Sequence, residues 1–216
     1  MKRGFTPSAQ QLLLIKALLF TASLLPFGFL AWGAWHETLG ANPIEAVTHQ
    51  TGTWTFNFLL ISLAVTPLRG LTGLNWLLRL RRMLGLFCFF YAVLHFSTYL
   101  WLDQFFDMQS IARDIFKRPF ITVGFLSFAL LVPLAATSSN YAIRKLGGRR
   151  WQALHRSVYL AAILASIHYF WLVKITAIIY PLIYAVILAL LLAWRVRARM
   201  AVHTPAPPGK STRSCR

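Results

Sequence analysis

Long apolar runs separated by short polar stretches dominate the chain: 12–32, 54–68, 83–102, 120–136, 154–173 and 175–194. At 1.5 Å per helical residue, about twenty residues cross the roughly 30 Å of hydrocarbon in a bilayer. The pattern predicts an all-α membrane protein, a bundle of six transmembrane helices with both termini on one side. The second run is the shortest, and its helix can begin a few residues earlier, near Thr51. Residues 1–199 form this transmembrane domain. Residues 200–216, with TPAPPGKSTRSCR from Thr204 onward, have the composition of a disordered tail. The stretch 69–82 (RGLTGLNWLLRLRR) mixes Leu, Trp and Arg in the manner of an interfacial segment. No internal repeat stands out.

Composition agrees with this picture. Of 216 residues, 57% are hydrophobic and 12% charged, and the mean hydropathy is +0.59, more apolar surface than a soluble fold hides. A net charge of +17 would suggest nucleic acid in a soluble protein, but here the basic residues punctuate the apolar runs. Eighteen of the 22 lie at the end that carries the termini. All five carboxylates, Glu37, Glu45, Asp103, Asp107 and Asp114, lie in the two loops at the other end, beside Arg113, Lys117 and Arg118. The positive-inside rule then makes the termini cytoplasmic and assigns no nucleic-acid role. Tryptophans at 32, 35, 54, 101, 151, 171 and 194 cluster at the run ends as an aromatic belt does. Cys88 lies in an apolar run and Cys215 in the tail, so no disulfide framework is implied. Lys2 and Arg3 precede the first run, which is too long for a signal-peptide core and has no small-residue cleavage site after it. An uncleaved first span is expected.

An ionisable group in hydrocarbon costs enough to demand a reason. His95 lies in the third run; His155 and His168 lie in the fifth. His36, His49 and His203 fall in polar loops or the tail and read as solvated. Counting from Arg82, His95 is about 20 Å along its helix. His168, eighteen residues past Arg150 and six before Lys174, comes to a matching depth in the outer half. Two imidazoles at one depth on two helices can supply both axial nitrogens to a haem iron. Hydrogen-bonded neutral histidines that join helices are the alternative. No Cys, Asp or Glu lies at this depth to complete another metal's shell. His155, five residues from Arg150, is near the cytoplasmic edge. It is thirteen residues from His168, about 220° around an ideal helix, so the two do not share a face.

These residues belong to a series of ordered segments: TGTW at 51–54, AVTPLR at 64–69, RRMLGLFCFFYAVLHFSTY at 81–99, PLAATS at 133–138 and WQALHRSVYLAAILASIHYFWL at 151–172. Together they resemble the haem-binding membrane subunits of periplasmic protein-methionine-sulfoxide reductase systems, within the ferric-reductase-like transmembrane family. The resemblance covers nearly the whole chain up to about Arg199. It implies a haem b electron-transfer subunit of the bacterial inner membrane that takes electrons from the quinol pool. The electrons pass to a periplasmic molybdopterin-containing subunit, which carries out the sulfoxide chemistry and repairs oxidised proteins. FMN is also associated with the family. By resemblance, His95 and His168 match the axial ligands of the haem iron and His155 the third family histidine. Eukaryotic members carry a further histidine about fourteen residues before the one matched by His95, where this chain has Arg81 beside Arg82. That departure leaves His155 with an unusual second haem, a quinone or flavin, or a structural role. Arg81 and Arg82 are candidates for haem propionates or the FMN phosphate, against the plainer reading as topology signals.

The 20 or so residues after the last run cannot form a flavin and nicotinamide domain, so a separate donor is expected. No outer loop offers room for a substrate domain, so the acceptor is another protein or a small molecule. Two other functions stay open: a stand-alone metalloreductase acting on ferric or cupric ions, and a non-redox transporter or assembly protein.

Overall fold

The computed structural model describes residues 6–203. They are helical throughout, without strands: α1 (Ala9–Trp35), α2 (Pro43–Thr72), α3 (Leu78–Thr98), α4 (Met108–Lys117), α5 (Pro119–Ala136), α6 (Asn140–Leu146), α7 (Gly148–His155), α8 (Ser157–Leu172) and α9 (Ile179–His203). Short 3-10 turns precede α3 and α9, and a single π turn, Tyr99–Asp103, extends α3. The chain is an all-α membrane protein. Five segments are long and apolar enough to cross a bilayer: Ala9–Trp35, Pro43–Thr72, Asn75–Leu102, Pro119–Ala136 and Ile179–Met200. The remaining apolar run, 154–173, is carried by α8, at 16 residues.

Helix boundaries follow local chemistry more than apolar content. The second helix spans 30 residues, from Asn42, whose side chain accepts from the Glu45 N–H, through Pro43 in its first turn, to Gly73 in the left-handed region at φ 73°. The predicted second run, 54–68, covers only its middle. The segment 69–82, read as interfacial, instead consists of the end of α2, the turn after Gly73 and the start of α3. The fifth run, 154–173, is divided: α7 ends at His155 and α8 begins at Ser157, with the Arg156 N–H donating to both Gln152 and Ala153 carbonyls. Arg156 keeps right-handed helical angles (φ −71°, ψ −22°), so α8 continues the path of α7, with His155 directed to Thr137 and His168 to the Phe120 carbonyl. The last helix begins at Ile179, four residues later than its run, and continues to His203. Residues 204–216 of the expected tail lie outside the described residues.

Helix α2 packs on α3, and α5 on α8. Ala161 and Ala162 of α8 are fully buried, which lets α5 approach closely enough for Ser127 Oγ to donate to the Ala161 carbonyl at 2.9 Å. Helix α9 lies against α8 and α2, with Tyr184 O–H donating to Asn57 Oδ1 at 2.7 Å. Leu59, Leu63, Cys88 and Tyr91 form the centre of the core, and Tyr91 stacks on Phe58 with ring centres 5.4 Å apart.

Helix α1 is peripheral. Pro26 interrupts its hydrogen-bond ladder. The Tyr91 hydroxyl stands between two groups that an ideal helix would pair, donating to the Ser23 carbonyl at 2.7 Å and accepting from the Phe27 N–H at 3.1 Å.

Candidate functional site

His95 of α3 and His168 of α8, matched in depth by helix arithmetic, face each other with ring centres 6.3 Å apart. His95 Nδ1 is 2.9 Å from the Thr48 carbonyl of α2, and His168 Nδ1 is 2.7 Å from the Phe120 carbonyl of α5. A carbonyl can only accept, so each Nδ1 carries the proton. In the neutral ring Nε2 is then left with a free lone pair, the arrangement that prepares an imidazole to bind a metal.

Each ring also rests over a glycine. A Cβ on Gly52 would come within 3.0 Å of His95 Cε1, and one on Gly124 within 2.7 Å of His168 Cε1 and Nδ1. The spacing has a physical reason. A helical carbonyl points along the axis toward residue i+4, so a ring that reaches carbonyl i overlies residue i+4. Thr48 with Gly52 on α2, and Phe120 with Gly124 on α5, are the same device used twice, once in each helix pair.

The donor set fits a haem iron. Two imidazoles binding one iron through nitrogens about 2 Å away have ring centres about 6 Å apart, close to the 6.3 Å found. Among the described residues no cluster of three or more His, Cys, Asp and Glu could hold an ion by itself. Two axial nitrogens suit an iron whose other four positions are filled by a macrocycle.

His155 lies apart from this pair, on the wall of a cavity of about 530 Å³ at the basic end of the bundle. Arg81, Arg82, Arg156 and Arg199 line it, with Leu59, Phe89, Leu131 and Leu134 among its apolar residues. His155 stacks on Trp151 with ring centres 3.9 Å apart, and its Nε2 is 3.1 Å from Thr137 Oγ1. The Thr137 hydroxyl gives its hydrogen to the Pro133 carbonyl at 2.6 Å. It therefore accepts from His155, which leaves Nδ1 as the free nitrogen, the reverse of His95 and His168. The Trp151 indole N–H donates to the Thr137 carbonyl at 2.8 Å and fixes the stack. Arg82 is tethered at 2.5 Å to Asn140 Oδ1, whereas Arg81 is half-buried.

The sequence reading missed Thr48, Gly52, Phe120, Gly124, Thr137 and Trp151. Glycines at 52 and 124 inside apolar helical segments were the available signal, since a glycine there costs about 1 kcal/mol and asks for a packing reason. The carbonyls had none.

Residues 51–166 match the profile of the ferric reductase like transmembrane component family. The chain is 59% identical over 203 residues to the protein-methionine-sulfoxide reductase heme-binding subunit MsrQ of Azospira oryzae, covering 94% of this chain and 87% of that one. It is 56% identical to the subunit of the same name from Herminiimonas arsenicoxydans, over 89% of this chain and 88% of the relative. For that of Polaromonas naphthalenivorans the identity is 52%, over 90% and 91%. With the paired histidines in their glycine cradles, these likenesses make the chain a member of the MsrQ family of heme-binding subunits, within the ferric reductase like transmembrane proteins.

Proposed function

We propose that the chain carries electrons across a bacterial inner membrane to a periplasmic, molybdopterin-containing methionine-sulfoxide reductase that repairs oxidised proteins. The observation that carries this reading is the pair His95 and His168, each with Nδ1–H held by a carbonyl and Nε2 left free. Haem b, when bound, supplies reversible one-electron chemistry. The protein's part is to present two nitrogens at a fixed separation and to exclude water with α2, α3, α5 and α8.

Direction comes from the charge distribution. Eighteen of 22 basic residues lie at the end with the termini, which favours a cytoplasmic location for that end. All six apolar runs then span, α8 being the fifth in order. The quinol pool donates at the basic end, where His155, Arg81 and Arg82 hold a second redox cofactor, a further haem or FMN. Arg81 and Arg82 provide guanidinium partners for its propionates or phosphate, and His155 offers Nδ1. Electrons leave from the paired histidines at the carboxylate-bearing end, where the partner docks.

The test is the visible and EPR spectrum of purified His95→Ala and His168→Ala. Each is expected to lose the low-spin signal of the haem between them. A normal low-spin spectrum in either variant would overturn the pairing.

A further inference from the structure

Arg195 of α9 lies outside every recognised segment, yet it is the most heavily anchored cation in the basic half. Pro67 of α2 has no N–H, so the Leu63 carbonyl four residues earlier lacks its helical donor. One terminal nitrogen of Arg195 fills that place at 3.0 Å and also reaches Thr66 Oγ1 at 3.2 Å. The other donates to the Tyr159 hydroxyl, and the guanidinium lies 5.0 Å from the centre of the Tyr159 ring. Tyr159 and Arg199 both line the cavity, with Arg199 6.0 Å from the same ring. Arg195 is also near enough to Arg81 for the two like charges to repel.

Among the described residues this grouping has no carboxylate beside it. Arg81, Arg82, Arg156 and Arg199 are on the cavity wall and Arg195 is joined to it through Tyr159, while Glu37, Glu45, Asp103, Asp107 and Asp114 all lie in or beside the connections at the far end. Like charges in a medium of low dielectric repel strongly and relax by swinging toward water. Arg195 cannot swing, because bonds to α2 and α8 hold it. A charge fixed this way keeps its field on the cavity instead of moving out to water.

We propose that Arg195 is a positioning residue that gives the cavity a permanent positive potential, so that the redox group bound there is easier to reduce than it would otherwise be. The inference rests on the reading that the cavity holds a redox cofactor. Reduction adds negative charge to that group, and a fixed guanidinium stabilises the reduced form more than the oxidised one. The paired-histidine site, at the other end of the bundle, feels little of this field.

The experiment is a redox titration of the full-length protein in lipid nanodiscs. The cavity group is followed by its Soret or flavin absorbance, and the His95–His168 haem serves as internal reference. Arg195→Met removes the charge, and Arg195→Lys keeps it while losing the fork. Arg195→Met is expected to lower the midpoint of the cavity group and leave the reference where it was. Arg195→Lys is expected to keep both midpoints and melt at a lower temperature. If Arg195→Met does not fold, Tyr159→Phe, which frees one anchor, is expected to give a smaller shift in the same direction. Unchanged midpoints, or equal shifts at both sites, would overturn the proposal and leave Arg195 as a mechanical pin. A wild-type titration with only one redox group would instead remove the cavity cofactor itself.

Discussion

A Cβ on Gly124 would stand 2.7 Å from both Cε1 and Nδ1 of His168, closer than any real Cβ approaches a ring. Alanine there must push the imidazole off the Phe120 carbonyl or push α5 off α8. Losses of this kind around a metal ligand weaken metal binding by about tenfold or more. Gly124→Ala is therefore expected to weaken haem binding by at least that factor and to lower haem per polypeptide. Gly52→Ala, where the closest approach is 3.0 Å, should have a smaller effect. Haem extraction and quantification in both variants checks the order; equal, full haem loading would remove the cradle argument.

Because His155 turns Nε2 toward Thr137, its loss should leave the paired-histidine haem intact. His155→Ala is expected to retain the low-spin signal and to lose whatever binds in the cavity, read as haem or flavin per polypeptide. Thr137→Val, which removes the acceptor and frees the ring, should perturb the same cavity signal more mildly. A change confined to the His95–His168 spectrum in either variant contradicts the separation of the two sites.

Arginine and lysine differ in that only arginine grips an anion with a planar fork. Half-buried Arg81 lines the cavity, while exposed Arg82 is tied to Asn140. Arg81→Lys is thus expected to lower cavity-cofactor content several-fold and Arg82→Lys to lower it less, both measured on purified protein. Full retention in both would return these residues to the role of topology signals.

Docking of a periplasmic partner should depend on the first loop at the carboxylate-bearing end. Glu37 is exposed, with φ 56° in the left-handed region. Glu45 lies in the first turn of α2, and His49, one helical turn on, is 3.8 Å away. Glu37→Gln is therefore expected to slow transfer to the partner more than Glu45→Gln does. Both rates should fall as salt rises. Stopped-flow reoxidation of the haem at varied ionic strength measures this, and a rate indifferent to salt and to both changes rules out steering by this loop.

Much of the architecture was legible because a membrane makes few demands and states them loudly: length, apolarity and the side on which arginines fall. Helix arithmetic from Arg82 and Arg150 was enough to bring His95 and His168 to one level. What it could not supply was anything set by the backbone. The start of α2 depends on Asn42 and Pro43 in a stretch too polar to register as a span. The division between α7 and α8 is made at Arg156 by shared carbonyls, and no residue there breaks helices by type. The Thr48 and Phe120 carbonyls carry no side-chain signature at all, and only their paired glycines point to them. Arg195 was counted as one more cytoplasmic cation because its anchor, the Leu63 carbonyl, is exposed by a proline 128 residues earlier in the sequence.

The Tyr91 hydroxyl between Ser23 and Phe27 has a consequence for the order of assembly. Helix α1 emerges from the ribosome before α3, and until α3 is in place the Ser23 carbonyl and the Phe27 N–H have only each other to bond. The first helix therefore reaches its final shape beside Pro26 only when the Tyr91 hydroxyl inserts between those two groups. Because Tyr91 lies one turn before His95 on α3, the contact that completes α1 is made by the helix that carries a ligand of the paired site. Shaping the first helix and seating the helix that carries that ligand thus fall in one step of assembly.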